Sequence, residues 1–455
     1  MIDTNRLDYR KDLEEVIFMF SSGEDINITH IEENDGKIFK DKFVFLNKEY
    51  NFTNEKIVKD NLELKRYEKR FSKLGLYKIL SEYYGVNYEW GALTGIRPTK
   101  MAYTADDFEK ELKEVFYVSD KKIAIIKDII DTQKKILDVD GKYDDLFVSI
   151  PFCPTKCTYC SFISEALSKC KHVEKYVETL CYELDRSLSL IKNLRSVYVG
   201  GGTPISVKSE YLVSILKSIK PYLNKDTEYT VEAGRPDVIT EEKLKILKDY
   251  GVNRICVNPQ TFSDKTLEII GRKHTAKSVI EKYYLAKSYD FSINMDVIAG
   301  LPEESFDDFK NTIDTVINLN PENFTVHTLC LKKGSELKNK IKRLAVGEIS
   351  KMNDYAYKKA KENGYNPYYI YRQKYAADNL ENIGYSKRGK ECVYNIDVME
   401  ETSSNVACGA NGVSKRVYPT KNLIERYGAP KDVLTYINKI EEIIKCKREL
   451  FLENK

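Results

Sequence analysis

Hydrophobic and polar positions change rhythm twice along this chain, which predicts three zones. From Met1 to about Tyr143 the pattern is mixed. Ile38 to Phe52 alternates as a hairpin would, while Leu64, Tyr67, Phe71 and Leu74 recur at helical spacing. Ile123, Ile126, Ile130 and Leu137 predict a second amphipathic helix, and the polar stretch from Asp138 to Asp145 predicts a boundary.

The middle zone, residues 144–350, has a regular beat. Six short apolar runs, at Leu146–Ile150, Ser196–Val199, Tyr229–Val231, Arg254–Val257, Ser292–Ile298 and Phe324–Thr328, alternate with helical stretches. Thr240 before Glu241 and Glu242, and Ser305 before Asp307 and Asp308, supply capping side chains and carboxylates where a helix begins. Strands alternating with helices call for a parallel sheet, open or closed into a barrel, with function at the carboxyl ends of the strands. After about Ser350 the alternation stops. Residues 351–455 are rich in Tyr and turn residues, including Asn363-Gly364, Asn366-Pro367 and Cys408 to Gly412, and read as a smaller α+β extension ending in a helix from Asp432 to Phe451. The fold class expected is therefore α/β, with an α+β domain over 1–143 and an α+β extension over 351–455.

Composition narrows the function classes. In 455 residues, 73 Lys and Arg balance 70 Asp and Glu, so the net charge of +3 favours neither nucleic acid nor an anionic membrane. Met1 to Phe20 carries acidic residues and an apolar run only from Val16 to Phe20, which fits neither a secretory signal nor a transit peptide. No run approaches the ~18 apolar residues of a membrane span. A reducing, cytoplasmic setting is expected, where a cysteine is a buried thiol, a metal ligand or a catalyst.

Ten cysteines are too sparse for a disulfide framework, and only three are crowded. The first strand of the middle zone runs into Pro151-Phe152-Cys153-Pro154-Thr155-Lys156-Cys157-Thr158-Tyr159-Cys160, a Cys-x3-Cys-x2-Cys spacing. Structural zinc takes four protein ligands, and no nearby cysteine pair or histidine supplies a fourth. Three thiolates in one loop suit a cubane iron–sulfur cluster with one iron open to an outside ligand. Three structural thiols, or zinc with a distant fourth ligand, are the competing readings.

This triplet, after the first strand of a β/α repeat, resembles the radical S-adenosylmethionine (radical SAM) superfamily, and Gly200-Gly201-Gly202-Thr203-Pro204 after the second strand resembles its glycine-rich segment. Val231 to Asp237, Asn258-Pro259-Gln260-Thr261-Phe262 and Asp296 to Pro302 are similar to the oxygen-independent coproporphyrinogen III oxidase-like family, HemZ type. Leu93 to Lys100 and Tyr371-Arg372-Gln373-Lys374 extend that likeness beyond the middle zone. The resemblance implies a partial (β/α)6 barrel in which Cys153, Cys157 and Cys160 bind a 4Fe–4S cluster. S-adenosylmethionine would chelate the open iron, and one electron would split its sulfonium bond to give a 5′-deoxyadenosyl radical. The cofactor contacts it implies are Phe147 in the first strand, Tyr159 on adenine, Gly201, Gly202 and Thr203 on the methionine part, Glu232 on an ammonium, Gln260 at the end of the fourth strand, Arg272 on a carboxylate, and Asp296 in the fifth strand.

The resemblance further implies a tetrapyrrole substrate, coproporphyrinogen III decarboxylated to protoporphyrinogen IX, and a flavodoxin or ferredoxin as electron donor. The oxidase engages a second S-adenosylmethionine, and there this chain departs from the pattern. Phe147 stands where the oxidase has Tyr, Ser149 where it has His, and Phe162 where it has a fourth cysteine. These changes resemble the haem-chaperone branch. A third alternative is a radical SAM enzyme that opens or methylates haem. His327 and the group Tyr368, Tyr369 and Tyr371 are candidates to face a macrocycle, and Arg97, Lys100, Arg372 and Lys374 to pair with propionates; core packing and solvated charge are the competing readings. The other seven cysteines read as inert thiols.

Overall fold

The computed structural model describes all residues except 22–25, 96, 104, 161–164, 331–334, 338–347, 374–375, 377–378, 422 and 453–455. The chain divides into two compact units, one made of Met1–Lys127 with Tyr371–Glu381, the other containing most of the residues from Asp128 onward.

In the first unit, strands β1 (Ile2–Thr4), β2 (Ile28–Asn34), β3 (Ile38–Phe45) and β4 (Lys48–Glu55) form a sheet in that order. The expected hairpin is β3 and β4, joined through Leu46 and Asn47 at φ of 52° and 60°. Two consecutive positive φ values make the primed turn that matches strand twist. Alternate residues of β2 are buried, and that face receives the helices Arg10–Phe20 and Asn61–Tyr84 through Leu13, Val16, Phe43, Leu76 and Leu80. Asp60 caps the longer helix by accepting from the Glu63 amide, and Gly85 ends it in the left-handed region.

The segment from Tyr371 to Glu381 belongs to this unit, as does Leu93 to Lys100. Buried Arg372 donates to the Leu93 carbonyl and lies 5.1 Å from the Trp90 ring centre. The Glu381 carboxylate accepts from Trp90 Nε1 and Lys122 Nζ, each at 2.6 Å. Burial pushes the Arg372 guanidinium down to about 10. Arg372 is thus committed to the interior rather than offered to a propionate. Lys100 is exposed on the short helix Pro98–Ala102, and Lys374 lies outside the described residues.

The second unit is built on an eleven-stranded mixed sheet. Its centre is six parallel strands: β5 (Asp144–Ile150), β8 (Leu194–Gly201), β9 (Glu228–Gly234), β10 (Arg254–Val257), β11 (Ser292–Ala299) and β12 (Asn323–Thr328). All six apolar runs of the middle zone are these strands, in the spatial order of the sequence. Between β5 and β8 a two-stranded pair, β6 (Phe152–Cys153) and β7 (Glu165–Ala166), carries the cysteine loop. Helices Val173–Ser187, Ser209–Ile219, Glu241–Asp249, Ala276–Lys287 and Phe306–Leu319 bury their apolar stripes in the crossovers. Thr240 and Ser305 cap as expected, and Ser305 forms a capping box with Asp308.

The strands of the 351–455 region, β13 (Tyr365–Arg372), β14 (Glu381–Lys387), β15 (Ser404–Cys408), β16 (Val413–Tyr418) and β17 (Leu423–Gly428), join this same sheet. β14 runs antiparallel to β12, and β15 runs parallel to β5, so the six central strands have a neighbour on both sides. Among the described residues the outer strands of the sheet are β13 and β17. Tyr368 and Tyr369 are both buried in β13, because the sheet is covered on each face there; Tyr369 fills the space where a side chain on Gly384 would stand. The terminal amphipathic stretch is two helices, Val433–Asn438 and Ile440–Leu452, broken at Lys439. Among the described residues no helix is long and apolar enough to cross a membrane.

Candidate cofactor site

The site lies at the carboxyl ends of the parallel strands of the second unit. β5 ends at Ile150, and the chain crosses Pro151 into β6, whose partner β7 is fastened by the Glu165 amide to the Pro151 carbonyl (2.8 Å) and the Leu167 amide to the Cys153 carbonyl (2.9 Å). The intervening loop is held by the Cys160 amide on the Cys157 carbonyl (3.1 Å), the Thr158 amide on the Ile270 carbonyl (3.1 Å), and the Leu337 amide on the Thr158 carbonyl (2.8 Å). Cys157 is buried, and Cys153 and Cys160 are half-buried. No three His, Cys, Asp or Glu side chains among the described residues converge on a single ion. A cubane takes one thiolate on each of three irons, so its ligands stand apart by nature.

The glycine segment lies directly against this loop. The Gly202 amide donates to the Ile150 carbonyl (2.9 Å) and the Thr203 amide to the Phe152 carbonyl (2.7 Å), while Thr203 Oγ1 stands 3.5 Å from Cys153 Sγ. A Cβ on Gly202 would sit 2.5 Å from the Phe152 oxygen, and Gly201 has φ of 107°. Only glycine permits this approach and this backbone.

Across the strand ends the side chains become charged. Tyr198 of β8 donates its hydroxyl to Glu232 of β9 at 2.7 Å. Burial pushes the Glu232 carboxyl up to about 7; the bond from Tyr198 opposes the rise and nearby Asp296 adds to it. Asp296 in β11 accepts from Asn294 at 2.7 Å and faces His327 of β12 at 3.7 Å. Burial works against its charge, but His327 and the hydrogen bonds outweigh it and hold the carboxyl below the usual range. Gln260 bridges to Val297 beside Asp296, with its own φ at 65°. Such strain in a non-glycine residue concentrates at functional sites.

Arg272 reaches the cysteine loop, donating Nη2 to the Tyr159 hydroxyl at 3.0 Å. Its Nε and Nη1 are buried with no partner. A guanidinium with two buried donors unmet is built to receive an anion, because leaving them unmet costs roughly 1–3 kcal/mol each. Beside it His274 is buried next to the Pro259 backbone, and burial and the Arg272 charge push it down to about 4, so it is neutral. The chemistry present fits the expected group. Three cysteine thiols for iron, a backbone cradle only glycine allows, a carboxylate at one strand end to accept from an ammonium and a guanidinium beside the loop to donate to a carboxylate are the groups a cluster-bound amino acid needs.

The Radical SAM superfamily model matches residues 147–316. The oxygen-independent coproporphyrinogen-III oxidase-like protein HemZ of Bacillus subtilis (strain 168) is 38% identical over 399 residues, 82% of this chain and 80% of that protein. The chain belongs to this family. Heme chaperone HemW of the same organism is 34% identical over 192 residues, 41% of this chain and 50% of that one. Among solved structures, coproporphyrinogen III oxidase from Escherichia coli shares the fold at a TM-score of 0.56 and 19% identity, over 68% of this chain and 72% of that one. The cofactors of the radical SAM superfamily are a 4Fe–4S cluster and S-adenosylmethionine.

The family likeness names residues at the strand ends but not how they are held. Phe147 stacks at 6.4 Å on Tyr198 and 6.3 Å on Tyr394, which themselves stack at 4.6 Å. Sequence reasoning does not single out Tyr198 in β8, Tyr394 in the helix Val393–Glu400 or His274 in a loop, because a buried ring in any of these places needs no explanation. Phe162 lies outside the described residues. Of the remaining cysteines, Cys256, Cys330, Cys392 and Cys408 are buried, as inert thiols are.

Proposed function

We propose that the protein is a radical SAM oxidoreductase that oxidatively decarboxylates propionates of coproporphyrinogen III to the vinyl groups of protoporphyrinogen IX. The observation that carries the cofactor half of this reading is Arg272, two of whose buried donors have no hydrogen-bond partner among the described residues. In it Cys153, Cys157 and Cys160 hold the cluster, Tyr159 stacks on adenine, Gly201, Gly202 and Thr203 line the methionine, and Glu232 takes the ammonium. Gln260, Arg272 and Asp296 complete the polar wall, with Arg272 on a carboxylate. Once bound, cluster and S-adenosylmethionine would supply a radical that takes a hydrogen atom from the propionate side chain, which then loses CO2 and passes one electron to a one-electron acceptor to leave the vinyl group. The chain's own share is to orient the cofactor, to keep Glu232 ionised by pairing it with a cation, and to exclude water at the strand ends. A small low-potential electron carrier, flavodoxin or ferredoxin, is the partner this chemistry needs.

A haem-carrying role is the second reading, favoured by one observation. Phe147, where the oxidase pattern has Tyr, carries no hydroxyl and is stacked on the chain's own Tyr198 and Tyr394. In this reading the first S-adenosylmethionine site is untouched by the change, and Phe147 offers no hydroxyl to a second. Anaerobic incubation of reconstituted, reduced protein with S-adenosylmethionine and coproporphyrinogen III separates the two. Protoporphyrinogen IX formed together with 5′-deoxyadenosine is the expected result. Formation of 5′-deoxyadenosine without protoporphyrinogen overturns the substrate assignment, and stoichiometric haem transfer to an apo-acceptor establishes the second reading.

A further inference from the structure

Between the first two cysteines the loop is gripped by a residue that the cofactor contacts leave unused. Arg235 follows β9 and is 3% exposed. Its Nε and Nη2 donate to the two carboxylate oxygens of Asp237, at 2.9 and 2.7 Å, as a fork on a carboxylate. Its Nη1 reaches Thr155, donating to the carbonyl at 3.2 Å and to Oγ1 at 2.7 Å. Thr155 stands midway between Cys153 and Cys157.

The backbone around Arg235 is shaped for this reach. Gly234 has φ of 61°, and the Arg235 amide donates to the Ala233 carbonyl at 2.7 Å, a tight three-residue turn that ends the strand. The Asn258 amide donates to the Gly234 carbonyl at 2.8 Å, tying the turn to the next strand's end. Asp237 in turn is the counter-charge that lets a guanidinium remain ionised so far from water. An ammonium could serve Asp237 or Thr155 but not both, since it lacks the planar fork.

We infer that Arg235 is a positioning residue for the cysteine loop, fixing the Cys153–Cys157 span through Thr155 before iron arrives, so that the loop which would hold the cluster keeps its place beside the glycine segment and Arg272. This rests on the cofactor reading of the loop and not on the choice of tetrapyrrole. The hold is directional, because it acts on one side of the loop while the Thr158 amide and carbonyl are held on the other.

The test uses the full chain, reconstituted anaerobically with iron and sulfide, carrying Thr155→Val or Arg235→Lys. Iron per chain is measured, and S-adenosylmethionine is titrated against the electron paramagnetic resonance signal of the reduced cluster. Thr155→Val keeps the Arg235–Asp237 pair, hence the fold, and removes only the side-chain acceptor on the loop. The expected result is iron content close to that of the unaltered protein with the titration midpoint raised about tenfold, the worth of one charge-assisted hydrogen bond. Arg235→Lys is expected to raise it at least as far and to broaden the signal. Unchanged midpoints and line shapes in both variants overturn the inference. An unaltered protein that takes up no cluster overturns this inference and the cofactor reading together, whereas one that binds cluster and S-adenosylmethionine but converts no tetrapyrrole overturns only the substrate assignment.

Discussion

Replacing Arg272 with Met should leave the stability of the cofactor-free protein nearly unchanged while weakening its hold on S-adenosylmethionine. In the free protein Arg272 has one partner, the Tyr159 hydroxyl at 3.0 Å, and two buried donors, Nε and Nη1, with none. Each unmet donor costs roughly 1–3 kcal/mol, whereas a hydrogen bond from a charged group returns about 1.5–3. Methionine has a similar reach and no donors, so the substitution relieves two penalties and gives up one bond. Half-buried Tyr159 loses a partner, at a cost of about 1–3 kcal/mol. With each contribution at the middle of its range, the relief and the two losses nearly cancel, and the net change in unfolding free energy is about zero. In the complex the balance reverses. A carboxylate held by a guanidinium fork contributes about 1.5–3 kcal/mol, and its loss weakens affinity by about 10- to 150-fold. Urea unfolding of the cluster-free protein gives the first quantity, and equilibrium binding of S-adenosylmethionine to the reconstituted protein gives the second. A variant destabilised by more than about 2 kcal/mol that binds S-adenosylmethionine as before would show Arg272 to be a structural residue, and the argument from its unmet donors would fail.

Other outcomes follow from the same geometry. The Glu232 carboxyl is raised to about 7 by burial, so it is protonated below that pH and cannot pair with an ammonium; affinity for S-adenosylmethionine should fall as pH drops through 7, and Glu232→Gln should flatten the profile. Tyr198→Phe removes the hydrogen bond that opposes this rise, so the midpoint of the same profile should move to higher pH; a midpoint that stays or moves down refutes the pairing. Gly202→Ala places a methyl group 2.5 Å from the Phe152 oxygen, an overpacking that costs about 1–3 kcal/mol, and iron uptake should drop with thermal stability; normal uptake would mean the cradle can yield. Replacing Cys153, Cys157 or Cys160 singly with Ala should abolish the cluster's visible absorption, while Cys256→Ser and Cys392→Ser should retain it.

Much of the second unit was legible because its signals are local. Six apolar runs became six adjacent parallel strands, since each run pairs with the one that a right-handed crossover brings beside it. The caps at Thr240 and Ser305 were readable because a cap is settled within four residues. The cysteine triplet and the glycine segment stood out because their chemistry depends on spacing along the chain.

What the tertiary structure alone decided involves partners far apart in sequence. Nothing local tells β15 to lie parallel to β5, some 260 residues earlier, or β14 to run against β12, so the 351–455 strands read as an extension although they complete one sheet. Arg372 looked like surface charge until the return of Tyr371–Glu381 buried it against Leu93 and Trp90. At the site the sequence named Glu232 and Arg272, but the ring that holds Glu232 and the guanidinium that grips Thr155 come from neighbouring strand ends. Spacing fixes which residues share a loop or a face. Which polar atoms are left without a partner, and so can take a ligand, is fixed only when distant strands pack and exclude water.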